Sequence, residues 1–170
     1  EFTLQNTSPI DLISDNFTAG ELIRSEIAVR REINNWFRLD AQLQAAIFLC
    51  RNVLQPLRDE FGRFSPNSVY RCQTLERALK NKPVSWSSRS QHTLGEAADI
   101  EIPGLSTLRL AEWCRDNLLF DQIILEMVTP TDVASGWVHI SVTRTANRGQ
   151  KLSYVLRDGK YIYVTGFVSI

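Results

Sequence analysis

The segment Ser90-Gln91-His92-Thr93-Leu94-Gly95-Glu96-Ala97-Ala98-Asp99-Ile100-Glu101-Ile102 runs from a polar loop, broken by a glycine, into a strand-like alternation. In an extended strand Asp99 and Glu101 share one face, and Ile100 and Ile102 the other. Such a strand has one face to bury and one free to carry polar groups. Two later segments repeat the pattern. In Gln122-Ile123-Ile124-Leu125-Glu126-Met127-Val128, Glu126 points with Ile124 and Val128. In Trp137-Val138-His139-Ile140-Ser141-Val142, Trp137, His139 and Ser141 oppose Val138, Ile140 and Val142. If the three strands pair, Asp99, Glu126 and His139 converge on one face, and the other is continuously apolar. A carboxylate inside Ile-Ile-Leu-Glu-Met-Val is expensive to bury without a partner or a task.

Working outward, the first half reads as helical. Thr18-Ala19-Gly20-Glu21 matches a capping box before Leu22, Ile23 and Ile27. Leu43, Ile47, Cys50, Val53, Leu54, Leu57 and Phe61 recur at three- and four-residue steps and predict a helix over 41–61, which Pro56 can kink and Gly62 ends. Short helices are predicted over 74–80 and, after the candidate cap Ser106, over 108–118. The chain closes on a hairpin, with Leu152 to Leu156 and Tyr161 to Val164 flanking Asp158-Gly159. The fold class expected is α+β: a single domain over 1–170 with a small antiparallel sheet, a zinc site on one face and helices packed on the other. Within it, 1–64 is mainly helical, 65–145 is the metal and catalytic core, and 146–170 is the hairpin.

Composition narrows the function classes. The chain has 170 residues, 44% of them hydrophobic and 22% charged, enough for a core without disulfides. Its 19 basic and 19 acidic residues cancel, so no field favours nucleic acid or an anionic membrane. No apolar run reaches the roughly 20 residues that span a bilayer. Cys50, Cys72 and Cys114 share no metal-type spacing, and Cys50 and Cys114 fall in apolar helical patterns as buried thiols. The start, Glu1-Phe2-Thr3-Leu4, carries neither an initiator Met nor an apolar signal segment, which leaves the export route open.

The chain has two histidines, His92 and His139, and both lie in these segments. With Asp99 they form a three-ligand set of the kind that keeps a fourth position of a catalytic zinc open for water. Taken singly, each residue has a plainer reading. A lone histidine is more often a hydrogen-bonded core residue, Asp99 can cap a strand, and Glu126 can pair with Arg71 or Arg144. Together, His-x6-Asp, Glu126 and the aromatic-x-His strand favour the metal site.

Ser90-x-His92-x-x-Gly95-x-Ala97-x-Asp99, with Trp137-Val138-His139 downstream, resembles the zinc D-alanyl-D-alanine carboxypeptidases and L-alanyl-D-glutamate endopeptidases, and most of all a small subfamily common in bacteriophages and prophages. The likeness runs from Phe17-Thr18-Ala19-Gly20-Glu21-Leu22 to the terminal hairpin. It includes Val53-Leu54-Gln55-Pro56-Leu57-Arg58, Ser68-Val69-Tyr70-Arg71 and Phe120-Asp121-Gln122-Ile123-Ile124-Leu125-Glu126. The resemblance implies one Zn2+ held by His92, Asp99 and His139, with Glu126 as catalytic base and Arg71 in catalysis and substrate binding. Many relatives carry the base as Glu-x-x-His, where this chain has Gly136. A glutamate on the preceding strand is instead similar to the zinc-bearing domain of hedgehog proteins. Val69 stands where relatives have glycine.

Ser90, Trp137 and Ser141 are candidate substrate contacts, each with the alternative of satisfying backbone groups or filling the core. Glu101 is a candidate partner for a ligand histidine. The loops Ser85 to Arg89 and Thr129 to Ser135 are expected to shape the pocket, the second, within Val128 to Gly136, as a mobile rim. The resemblance implies peptidoglycan stem peptides as substrate and action at the periplasm or cell wall; the chain is expected to be a monomer made in the bacterial cytoplasm, with the route to the wall left open and virion association as one reading of it. The alternative is a catalytically silent zinc-binding interaction domain or virion structural component of the same fold.

Overall fold

The structure, a computed structural model, describes residues 1–169. Short helices α1 (Ala19–Leu22) and α2 (Glu26–Arg30) open it. The capping box on α1 forms as the residues predict: Thr18 accepts from Glu21 N–H while the Glu21 carboxylate takes the Thr18 N–H at 2.9 Å.

The predicted 41–61 helix is one path with three windings: α3 (Asp40–Leu49), a π-turn (Cys50–Leu54) and α4 (Gln55–Phe61). Pro56 accounts for the middle piece. Its ring crowds the preceding turn and offers no N–H. The helix widens just before it, with Gln55 N–H reaching back to Cys50 O. The apolar row stays in register, since Leu43, Ile47, Cys50, Val53, Leu54 and Leu57 are all buried. Phe61 is half-buried and packs edge-on against Trp113.

Helix α5 (Gln73–Lys80) and a 3₁₀ turn (Gln91–Leu94) lead into β1 (Ala97–Ile100). Helix α6 (Thr107–Asn117) follows, with the Ser106 hydroxyl capping Arg109 N–H. The strands β2 (Gln122–Glu126), β3 (Trp137–Ser141), β4 (Gln150–Arg157) and β5 (Lys160–Thr165) complete one sheet in the order β1-β3-β2-β4-β5. All neighbours run antiparallel except β2 and β4, which are parallel. The hairpin therefore extends the sheet beside β2 rather than closing on β3.

Register places the polar face. Asp99 pairs with His139, Ile124 with His139, and Glu126 with Trp137. Asp99, His139 and Glu126 thus share one face, with Tyr154 and Tyr163 continuing it on β4 and β5. On the other face Ala98, Ile100, Val138, Ile140, Ile123 and Leu125 are fully buried in one core with the helices. Each such branched side chain contributes about 1.5–3 kcal/mol by leaving water. Among the described residues no helix is long and apolar enough to cross a membrane.

Candidate metal centre and cleft

His92 sits on the 3₁₀ turn, fully buried. The turn is shaped by Ser90, whose hydroxyl accepts from His92 N–H (3.3 Å) and whose carbonyl accepts from the Thr93 hydroxyl (2.7 Å). His92 Nδ1 lies 2.7 Å from the Val69 carbonyl and donates to it. That fixes the tautomer and leaves the Nε2 lone pair bare. Nε2 faces Asp99 Oδ2 at 3.3 Å, buried and without a hydrogen-bond partner. Burial pushes the His92 pKa down, against the pull of Asp99. A neutral imidazole nitrogen and a carboxylate oxygen then confront each other as two acceptors, an arrangement that a cation between them would resolve.

Asp99 turns its other oxygen to His139 Nδ1 at 3.1 Å. The imidazoles meet edge-on, with ring centroids 5.1 Å apart. Burial would raise the Asp99 pKa, but His92 and His139 hold it well below the usual carboxylate range. Its backbone is clamped by Asn67 and Ser68, Asp99 N–H donating to Ser68 O (2.9 Å) and Asp99 O accepting from Asn67 N–H (2.8 Å). One ligand atom from each of the three residues lies within 4.8 Å of the others. Ligands of a tetrahedral zinc stand roughly 3.3–3.5 Å apart, so the donor set and spacing suit that ion.

A cleft of about 600 Å³ opens on this cluster, lined among others by Arg71, His92, Asp99, Glu126, Trp137 and His139. Burial raises the Glu126 pKa, helped by the nearby Asp99 charge and opposed by His139, Arg71 and the Trp137 indole. The Trp137 indole N–H is buried beside that carboxylate without reaching hydrogen-bond geometry. Arg71 is placed from both ends. Its N–H donates to His92 O (3.1 Å), and the next N–H, of Cys72, donates to the buried Asn35 side chain (2.8 Å). Its guanidinium spans two carboxylates, with Nε 2.9 Å from Glu76 Oε1 and Nη1 3.8 Å from Asp99 Oδ2.

Gly136 is required by the strand connection. It sits at φ +72°, and a Cβ there would overlap the Glu126 carbonyl oxygen and the Met127 backbone. The backbone path of this chain therefore leaves no room for a carboxylate at the Glu-x-x-His position.

Three expectations need correction. Ser141 is fully buried and does not line the cleft; its hydroxyl is 3.5 Å from Gln122 O. Glu101 is exposed and accepts from Asn67 Nδ2 at 2.6 Å, so the Val69 carbonyl orients His92 instead. The loop after β2 does not line the cleft: Val133 O and Ser135 O bind the N–H and hydroxyl of Thr107 at the start of α6. The other loop does reach the cleft, through Trp86, Ser88 and Arg89, as do Ser90 and Trp137. Sequence reading missed Glu76, Asn35, Lys80 and Tyr163. Glu76 and Lys80 lie on α5, Tyr163 on β5 and Asn35 in the segment between α2 and α3, and none of these local patterns carries a sign of the site.

A family model described as Peptidase M15 matches residues 15–141. The chain belongs to the peptidase M15 family. Membership implies a zinc metallopeptidase, and the matched span contains His92, Asp99, Glu126 and His139, while the β4–β5 hairpin lies beyond it. No curated protein matches the chain.

Proposed function

We propose that this M15 family member is a zinc-dependent peptidase that hydrolyses peptidoglycan stem peptides, as a D-Ala-D-Ala carboxypeptidase or an L-Ala-D-Glu endopeptidase of phage or prophage type. The observation that carries the proposal is the bare, buried Nε2 of His92 facing Asp99 beside His139, with Glu126 on the same cleft. His92, Asp99 and His139 would hold the zinc, which when bound lowers the pKa of a water and polarises the scissile carbonyl.

Glu126 takes the proton of the attacking water at its carboxylate and returns it to the leaving amine. Its burial on the cleft wall favours the protonated form and so suits that exchange. The Nη edge of Arg71 binds a substrate carboxylate or the oxyanion. Trp137 walls the cleft, and Ser90 acts on the substrate side chiefly by shaping the turn that presents His92.

Digestion of purified stem peptides, followed by mass spectrometry, tests the reading with the zinc-loaded protein beside its Glu126→Gln variant. Loss of one terminal D-Ala, or a cut between L-Ala and D-Glu, is the expected product. Zinc retained with no cleavage of any peptide would refute the reading and leave an interaction domain of the same fold.

A further inference from the structure

We propose that Glu76 is a positioning residue: it clamps Arg71 through Nε and so turns the Nη edge of the guanidinium toward the cleft. The proposal rests on the reading of Arg71 as the group that binds substrate. Glu76 has no solvent exposure. A carboxylate withdrawn from water persists only where charge and hydrogen bonds replace its hydration. Three donors do so. Arg71 Nε stands 2.9 Å from Oε1, while Lys80 Nζ and Ser88 Oγ each stand 2.6 Å from Oε2.

The Arg71 contact is exclusive on both sides. Nε and Oε1 are sealed from solvent, and neither has a hydrogen-bond partner among the described residues. Their link is an ion pair lying off hydrogen-bond alignment. Arg71, Lys80 and Ser88 all line the cleft, and Glu76 does not. It can act on substrate only through them.

Backbone bonds at Arg71 and Cys72 already place the Arg71 Cα, so what remains free is the side chain. Two carboxylates compete for it: Glu76 at the Nε side and Asp99 at Nη1, 3.8 Å away. A guanidinium released from Glu76 would settle onto Asp99 and mask that member of the metal cluster. Held at Nε, it keeps its two Nη groups along the cleft wall, the edge that grips a carboxylate with two parallel bonds. The second oxygen of Glu76 ties the same point to the Trp86–Arg89 rim, through Ser88 and through Lys80, whose ammonium lies 5.6 Å over the Trp86 ring.

The test compares the zinc-loaded protein with Glu76→Gln, which keeps the shape and an acceptor but removes the charge. The first readout is the ¹H–¹⁵N signal of Arg71 Nε–H, assigned by its loss in Arg71→Lys. Wild type should show slow exchange with water, and Glu76→Gln exchange faster by about tenfold or more. The second is a split between KM and kcat on a stem peptide with free carboxylates and on its amidated counterpart. For the free peptide KM should rise about tenfold while kcat stays within roughly threefold, and the amidated peptide should not discriminate between the proteins. Leu57→Ala, a core truncation outside the cleft, controls for general loosening and should leave KM alone.

Equal Nε–H protection in Glu76→Gln overturns the clamp, whether or not any peptide is cut. Lost protection with unchanged KM, or the same KM rise in Leu57→Ala, overturns the positioning role. Lost protection where wild type cleaves nothing supports the clamp and refutes the peptidase reading. If Glu76→Gln does not fold, Glu76→Asp carries both readouts, because retreat by one methylene predicts the same losses.

Discussion

Three carboxylates in and around one cleft face three different surroundings, and each predicts a distinct phenotype. Asp99 sits between two imidazoles. Asp99→Ala should drop zinc content from one per chain to near zero by elemental analysis, whereas Glu126→Gln should keep the metal and lose about 100-fold or more in kcat. Full activity in the latter would remove Glu126 from the base role. Glu76 predicts a pH effect on stability. Burial would raise its pKa, but hydrogen bonds from Lys80 and Ser88 and the charge of Arg71 hold it below the ordinary 4.5. A carboxyl depressed in the folded state stabilises above its unfolded pKa, and that contribution fades as pH falls through the folded value. The stability gap between wild type and Glu76→Gln should be about 3 kcal/mol near neutrality and shrink below about pH 4, measured by urea unfolding across pH. A gap constant with pH would mean that the charge of Glu76 contributes nothing.

At the level of elements, the connection from β2 to β3 is the tightest constraint on the site. Gly136 and Met127 both adopt positive φ there, and a side chain at 136 would meet the backbone that ends β2. Gly136→Ala should destabilise by at least about 2 kcal/mol, and it should lower turnover because β2 carries Glu126 and β3 carries His139. Thermal melting beside kinetics checks both; an unchanged melting temperature would contradict the close approach. The α3–π–α4 path shows the opposite, a strain absorbed. One widened turn before Pro56 accommodates the ring while Cys50, Val53 and Leu54 stay in the core.

For the whole molecule, the metal cluster joins elements far apart in sequence: the 3₁₀ turn, β1 and β3. A zinc held by His92, Asp99 and His139 would bind the folded cluster and not the separated ligands, so its removal should lower stability as well as activity. Zinc at about 1,000 times its Kd adds about 4 kcal/mol, worth roughly 10 °C in a domain of this size. Calorimetry with and without a chelator measures the shift, and coincident melting curves would argue against a bound metal in the native state.

The α+β class, the strands and their polar face were legible because local rules govern them. Alternation sorted Asp99, Glu126 and His139 from Ile100, Leu125 and Val138, and helical spacing picked out the buried row from Leu43 to Leu57. Tertiary structure alone decided what depends on nonlocal approach. The parallel pairing of β4 with β2, the choice of Val69 O over Glu101 to orient His92, and the exclusion of Ser141 from the cleft all follow from register and packing. So does Glu76, which in its own helix reads as an ordinary i, i+4 partner of Lys80. Periodicity tells which face a side chain occupies; only the folded chain determines what comes to meet it.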